Sequence, residues 1–269
     1  MSASTVVQSA VIHDMAARFA KKVHPMNRRF GDSIKISGDY QYNAINSPNP
    51  VQRFWHRSKK LAIERFLPPR KEDFVLDVGC GSGVIAGFLG ESGAEVLGFD
   101  GNSEAIAFAT ETFAKPNVQF QLGLVDEQLD LLRPVDKIYC LEVIEHIHLN
   151  QARDMLRVFH KLLNPHGEVF ITTPNYSSLW PLIERLMDLF QLAPQMSVHQ
   201  HVEHYNIPKL KRLCRETGFV VESVHTGNFI APWLTLLSWG VAEKFEALEV
   251  AANLPFGSII IIVLRKAGS

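Results

Sequence analysis

Apolar residues fall into two kinds of segment along this chain, short unbroken runs and stretches with apolar positions three and four apart. From Asp73 onward the two alternate. The runs predict strands over 74–78, 94–99, 118–122, 135–140, 167–172, 219–227 and 257–265. The spaced stretches predict helices over about 83–92, 103–114, 150–163 and 207–217. Strands alternating with helices imply an α/β fold, a doubly wound and mostly parallel seven-stranded sheet with helices on both faces. The final run, Ser258 to Leu264, has no polar alternation, which predicts a strand buried on both sides.

Ahead of this region, Val11, Ile12, Met15, Ala16 and Phe19 share one face of a helix predicted over 11–23. A loop-like stretch rich in Gly, Asn, Ser and Pro follows over 24–50, and its Tyr40, Tyr42 and Asn43 can hang over the mouth of a site. A second helix over 51–66 ends before Pro68 and Pro69. Residues 1–70 therefore read as an N-terminal helical cap and 71–269 as the main domain. Two helical insertions interrupt the alternation, at about 177–205 and 229–255. Leu179, Leu182, Ile183, Leu186 and Phe190 in the first, and Trp233, Leu236, Leu237 and Trp239 in the second, make broad apolar surfaces. Either the insertions pack on each other over the carboxyl edge of the sheet, or they form a greasy lid for a lipid-like substrate or a membrane-surface contact.

Composition narrows the function classes. At 269 residues, 46% hydrophobic and 20% charged, the chain can bury a sizeable core. Its 27 basic and 28 acidic residues leave a formal charge of −1, which gives no bulk electrostatic basis for holding nucleic acid. Cys80, Cys140 and Cys214 are scattered, without zinc or disulfide spacing, and fit a reducing compartment. The first ten residues lack a secretory pattern, and the longest apolar stretch, 229–241, is broken by Pro232, Thr235 and Ser238. The expectation is a cytoplasmic protein without a membrane span, with peripheral contact at a membrane surface left open by the apolar insertions.

The chemistry starts at the first predicted strand. Asp77 is followed by glycines at alternate positions, Gly79, Gly81 and Gly83, and then by a helix-compatible segment. Glycines let the backbone pass close under a ligand, and the N–H groups at a helix start favour a carboxylate or a phosphate. The next strand ends in Asp100, an acid placed to accept from both hydroxyls of a ribose. A dinucleotide fingerprint has two residues between its second and third glycines, so NAD is disfavoured. This D-x-G-x-G-x-G pattern resembles the first motif of the class I S-adenosylmethionine-dependent methyltransferases. The resemblance covers roughly 74–218 and implies a Rossmann-like fold whose last strand runs antiparallel, and an N-terminal segment that covers the cofactor. It implies cofactor contacts at Asp77, Gly79, Cys80, Gly81, Gly83, Asp100, Gly101, Asn102 and Leu141. Leu124 and Val125 would flank the adenine, with Asp126 taking its amino group.

After the fourth strand, Cys140-Leu141-Glu142-Val143-Ile144-Glu145-His146 resembles the corresponding segment of the ubiquinone-biosynthesis O-methyltransferases. Glu142, Glu145 and His146 stand at i, i+3 and i+4, on one side of a turn or short helix. Thr172-Thr173-Pro174-Asn175 ends the fifth strand and would line the substrate side. Farther on, His199, His201 and His204 cluster before a helix that Asn206 and Pro208 announce. Proton removal from a hydroxyl suits a histidine, giving candidates His146, His201, His199 and His204, with Glu142 as an orienting group. Alternatively Glu142, Glu145, His146 and His201 hold a divalent Mg, Mn or Zn ion that activates the hydroxyl. The implied activity is methyl transfer to an oxygen of a small apolar or prenylated molecule. N- or C-methylation of another metabolite or lipid, and a non-catalytic cofactor-binding role, are the alternatives.

Overall fold

The computed structural model describes residues 20–22, 37–182, 185 and 201–267. Most of the predicted helix over 11–23 and of the first insertion, with His199, lies outside them. Ala20–Lys22 departs from the helix reading: it is a strand, β1, antiparallel to β5 (Asp130–Leu131). The stretch predicted as loop over 24–50 contains a short helix, α1 (Tyr40–Ile45). It is followed by α2 (Pro50–Phe66), which starts where expected because the Asn49 side chain accepts the Val51 N–H at 3.0 Å and Pro50 occupies the first turn.

From there the alternation is as read. β2 (Phe74–Val78), α3 (Val84–Gly90), β3 (Glu95–Asp100), α4 (Ser103–Phe113) and β4 (Val118–Leu122) come first. β6 (Val135–Leu141), α5 (Leu149–Leu162), β7 (Leu163–Pro174), α6 (Ile207–Glu216) and β8 (Phe219–Gly227) follow β5. The second insertion holds α7 (Ala231–Leu234) and α8 (Trp239–Ala252), and β9 (Ile259–Lys266) closes the domain. The seven-stranded sheet has the order β4-β3-β2-β6-β7-β9-β8, and β9 runs antiparallel to both neighbours while the other pairings are parallel.

Side-chain alternation divides the core between the two faces of this sheet. Phe74, Leu76 and Val78 of β2 join Ile260, Ile262 and Leu264 of β9 in one cluster. Val75, Ile259, Ile261 and Val263 join the other. Residues 259–264 are all buried, as their unbroken apolar run requires, and each contributes about 1.5–3 kcal/mol of burial.

Both insertions land on α2. Trp180 lies on Trp55 with ring centroids 4.9 Å apart, and Phe54 is enclosed by Ala231 and Ala242. The entry to α7 is held by the buried Glu249 of α8, whose carboxylate accepts the N–H groups of Phe229, Ile230 and Ala231 at 2.6–3.1 Å. Leu236 and Leu237, between α7 and α8, point outward and are 65% and 82% exposed. Among the described residues no helix is long and apolar enough to cross a membrane.

Candidate functional site

Strand order reverses at β2: the chain runs outward through β3 and β4, then returns to the other side of β2 with β6. In an open sheet, the crevice above the carboxyl ends at such a point is where ligands bind. The turns after β2, β6 and β7 all face it.

After β2, Gly79, Gly81 and Gly83 have φ values of 72°, 50° and 79°, in the left-handed region that glycine enters without strain. Gly79 and Cys80 donate backbone N–H groups to the Phe99 carbonyl at 2.8 and 3.0 Å, tying the turn to β3. Asp100 completes the tie, accepting Gly81 N–H at Oδ2 and Asn102 N–H at Oδ1, each at 2.8 Å. Gly101 N–H also donates to this carboxylate, whose remaining acceptor capacity suits ribose hydroxyls. The Asn102 side chain caps α4, accepting Glu104 N–H at 2.9 Å. A β-carbon on Gly79 would collide with Val143, so the turns after β2 and β6 are in contact.

Asp77 lies under the turn, buried, with Oδ2 lacking a hydrogen-bond partner. Burial, reinforced by the Asp100 charge, pushes its carboxyl up to about 7. Asp100 is raised too, by burial, against the lowering effect of its N–H donors. Two acids in a cleft, one with an orphaned oxygen, suit a cationic ligand carrying a ribose, and the glycines are required because Val143, Gln41 and Ala109 pack where their β-carbons would stand. Cys80 and Leu141 are buried beneath, and Val125 is buried beside half-buried Leu124. Asp126 is exposed, and its Oδ1 accepts the Gln128 N–H at 2.9 Å.

Beyond β6, Glu142 has φ 56°, a strained value for a side-chain-bearing residue. It is held there by Thr172, whose carbonyl accepts Glu142 N–H at 3.0 Å and whose hydroxyl donates to Oε1 at 2.9 Å. Lys59 of α2 stands 3.8 Å from Oε2. A turn of 3-10 helix (Ile144–His146) then brings Glu145 and His146 round, the short helix expected from their spacing. Glu145 is buried, accepting from the Thr173 hydroxyl at 3.0 Å, while its Oε1 has no hydrogen-bond partner. Burial, and then the charge of Glu142, hold its carboxyl well above the usual range.

The segment before α6 supplies the other half of this cluster. Its position is set by Glu203 N–H donating to the Glu145 carbonyl at 3.0 Å and by Asn206 capping α6. His201 comes to 5.0 Å from His146, ring to ring, and its Nδ1 is 2.8 Å from the Tyr176 hydroxyl. His204 is exposed and stacks against the Tyr176 ring at 3.9 Å. Ligand atoms of Glu145, His146 and His201 lie within 4.8 Å of one another, a set of one carboxylate and two imidazoles that fits a divalent ion. Glu142, placed in the same set from sequence, stands apart, engaged by Lys59 and Thr172.

Three residues of this site were not legible from local pattern. Lys59 reaches Glu142, and Trp55, one turn earlier on the same side of α2, meets Trp180, a pairing present in the sequence but without a partner to give it meaning. Tyr176 sits just past the β7 motif. Tyr42, expected over the mouth, packs its ring on Phe108 and Phe113 of α4 at 5.3 and 6.2 Å.

Residues 51–224 match the family model described as a methyltransferase domain. The ubiquinone biosynthesis O-methyltransferase of Pseudomonas aeruginosa (strain LESB58) is 32% identical over 191 residues, which is 65% of this chain and 81% of that protein. The enzyme of the same name from Aeromonas salmonicida (strain A449) is 26% identical over 197 residues, covering 71% and 78%. Among solved structures, magnesium protoporphyrin IX methyltransferase from Synechocystis PCC 6803 with bound SAH superposes with a TM-score of 0.56 at 16% identity, covering 86% of this chain and 94% of that one. A methyltransferase from Mesorhizobium loti gives 0.55 at 19% identity, covering 77% and 96%. The family match spans the glycine turn, Asp100 and the β6 cluster alike, and the chain belongs to the methyltransferase domain family as an S-adenosylmethionine-dependent methyltransferase.

Proposed function

We propose that the methyl acceptor is an oxygen of a small apolar or prenylated molecule and that a histidine of the β6 cluster takes its proton. The observation that carries this reading is the imidazole pair, His146 and His201, 5.0 Å apart beside Glu145 and at the rim of the cofactor crevice. The names of the relatives support the same acceptor atom.

S-adenosylmethionine supplies a methyl group on a sulfonium, already a good electrophile displaced in line. The chain has to hold the acceptor aligned, exclude water and remove one proton. Burial, and then the charge of Glu142, raise the Glu145 carboxyl well above the usual carboxylate range, which disfavours its anionic form. A neutral imidazole is the group here with a lone pair to offer. If His201 donates Nδ1–H to the Tyr176 oxygen, Nε2 is left as its basic atom. Trp55, on the same helix as Lys59, and Trp180, from the first insertion and packed on it at 4.9 Å, would give the acceptor an apolar wall.

A second reading is favoured by the 4.8 Å grouping: Glu145, His146 and His201 would hold a divalent ion that lowers the acceptor hydroxyl's pKa. Chelation separates the two. With a histidine as base, turnover stays within about twofold in excess chelator, since imidazole alone accounts for the usual 10²–10⁴-fold of proton transfer. A loss restored by one added divalent ion would transfer the role to the metal set.

Cofactor affinity should also depend on pH through Asp77. Its carboxyl is raised, so it is protonated below about 7 and anionic above. A cationic ligand favours the anionic form, so affinity is full at higher pH and falls as the pH drops through about 7, by at most about tenfold per unit. Calorimetry between pH 6 and 8.5 measures this, and Asp77→Asn should flatten it. A flat wild-type profile would remove Asp77 from the account.

A further inference from the structure

α1 lies directly over the glycine turn. Tyr42 N–H donates to Ser82 Oγ at 3.0 Å, and the Tyr42 ring is braced on Phe108 and Phe113. One residue earlier on α1, the Gln41 carboxamide lies flat across Gly81. Its Oε1, Cδ and Nε2 are 2.5, 2.7 and 2.9 Å from where a β-carbon on Gly81 would stand. Gln41 Oε1 is buried and has no hydrogen-bond partner. The orphaned Asp77 Oδ2 belongs to the same turn.

A buried carboxamide oxygen without a donor is costly, and among the described residues none donates to it. A carboxamide accepts at oxygen and donates at nitrogen, so one side chain can answer both the ammonium and the carboxylate of an amino acid. We propose that Gln41 recognises the amino-acid end of S-adenosylmethionine, hydrogen-bonding it at the edge of the glycine turn against which the carboxamide packs. This rests on the cofactor assignment. α1 is then a part of the cofactor site delivered by the N-terminal region, and it discriminates ligands that carry the amino acid from those that carry adenosine alone.

The test compares S-adenosylhomocysteine with 5′-methylthioadenosine, which keeps the adenosine and lacks the amino-acid end. Calorimetry on wild type, Gln41→Leu and Gln41→Ala should show about tenfold weaker S-adenosylhomocysteine binding in both variants. Methylthioadenosine affinity should stay within about twofold of wild type, on the same single-bond reasoning, and doubles as a control for folding. Equal weakening of both ligands would mean that Gln41 only shapes the cleft, and no weakening would mean that it touches neither; each overturns the proposal. Wild type binding neither ligand would instead bring down the cofactor assignment, and this inference with it.

Discussion

Asp100→Ala is expected to weaken S-adenosylhomocysteine binding by about 10²–10⁴-fold. Two hydrogen bonds from ribose hydroxyls to a carboxylate are lost, at about 1.5–3 kcal/mol each. The same carboxylate binds Gly81 N–H and Asn102 N–H at 2.8 Å, so the variant also frees the turn that cradles the rest of the ligand. Thermal unfolding should therefore shift downward along with affinity. Asp100→Asn keeps one good acceptor and is expected to fall between wild type and alanine in both measurements. A dissociation constant for Asp100→Ala within about threefold of wild type would show that the acid is structural and that the ribose lies elsewhere.

The second large effect is on turnover alone. His146→Ala should lower kcat by about 10²–10⁴-fold, the usual contribution of general-base catalysis, while S-adenosylhomocysteine affinity stays at the wild-type value. The separation follows from the fold. His146 is on the turn after β6, whereas the glycines and Asp100 proposed to hold the cofactor lie on the turns after β2 and β3. His201→Ala is the companion variant, because the two rings are 5.0 Å apart and either can face the acceptor. Unchanged turnover in His146→Ala together with a loss in His201→Ala would move the base to the segment before α6.

Much of this was legible in sequence because parallel sheets write themselves plainly. β9 begins as an apolar run buried on both faces, β2 and the second half of β6 are nearly so, and Asn206 with Pro208 marks the start of α6 without ambiguity. The glycine turn and Asp100 were readable because their spacing is fixed by one local geometry. What escaped depends on contacts distant in the chain. The six residues of α1 carry too little periodicity to identify, and they are held by Ser82 and α4 rather than by propensity. The separation of Glu142 from Glu145 was hidden for a similar reason. Their spacing puts both on one side of a helix, but Thr172 and Lys59 draw Glu142 into a left-handed backbone and away from the histidines. Spacing predicts neighbours only where the helix continues, and here it is a single 3-10 turn.

The measurement that bears most directly on the account is methyl transfer itself. The protein would be incubated with methyl-labelled S-adenosylmethionine and an apolar small-molecule extract, and the labelled product identified by mass spectrometry. The account predicts label in the apolar fraction as a methyl ether, dependent on Asp100 and on His146 or His201. Label found on nitrogen or carbon would contradict the oxygen acceptor, and cofactor binding without any transfer would contradict catalysis.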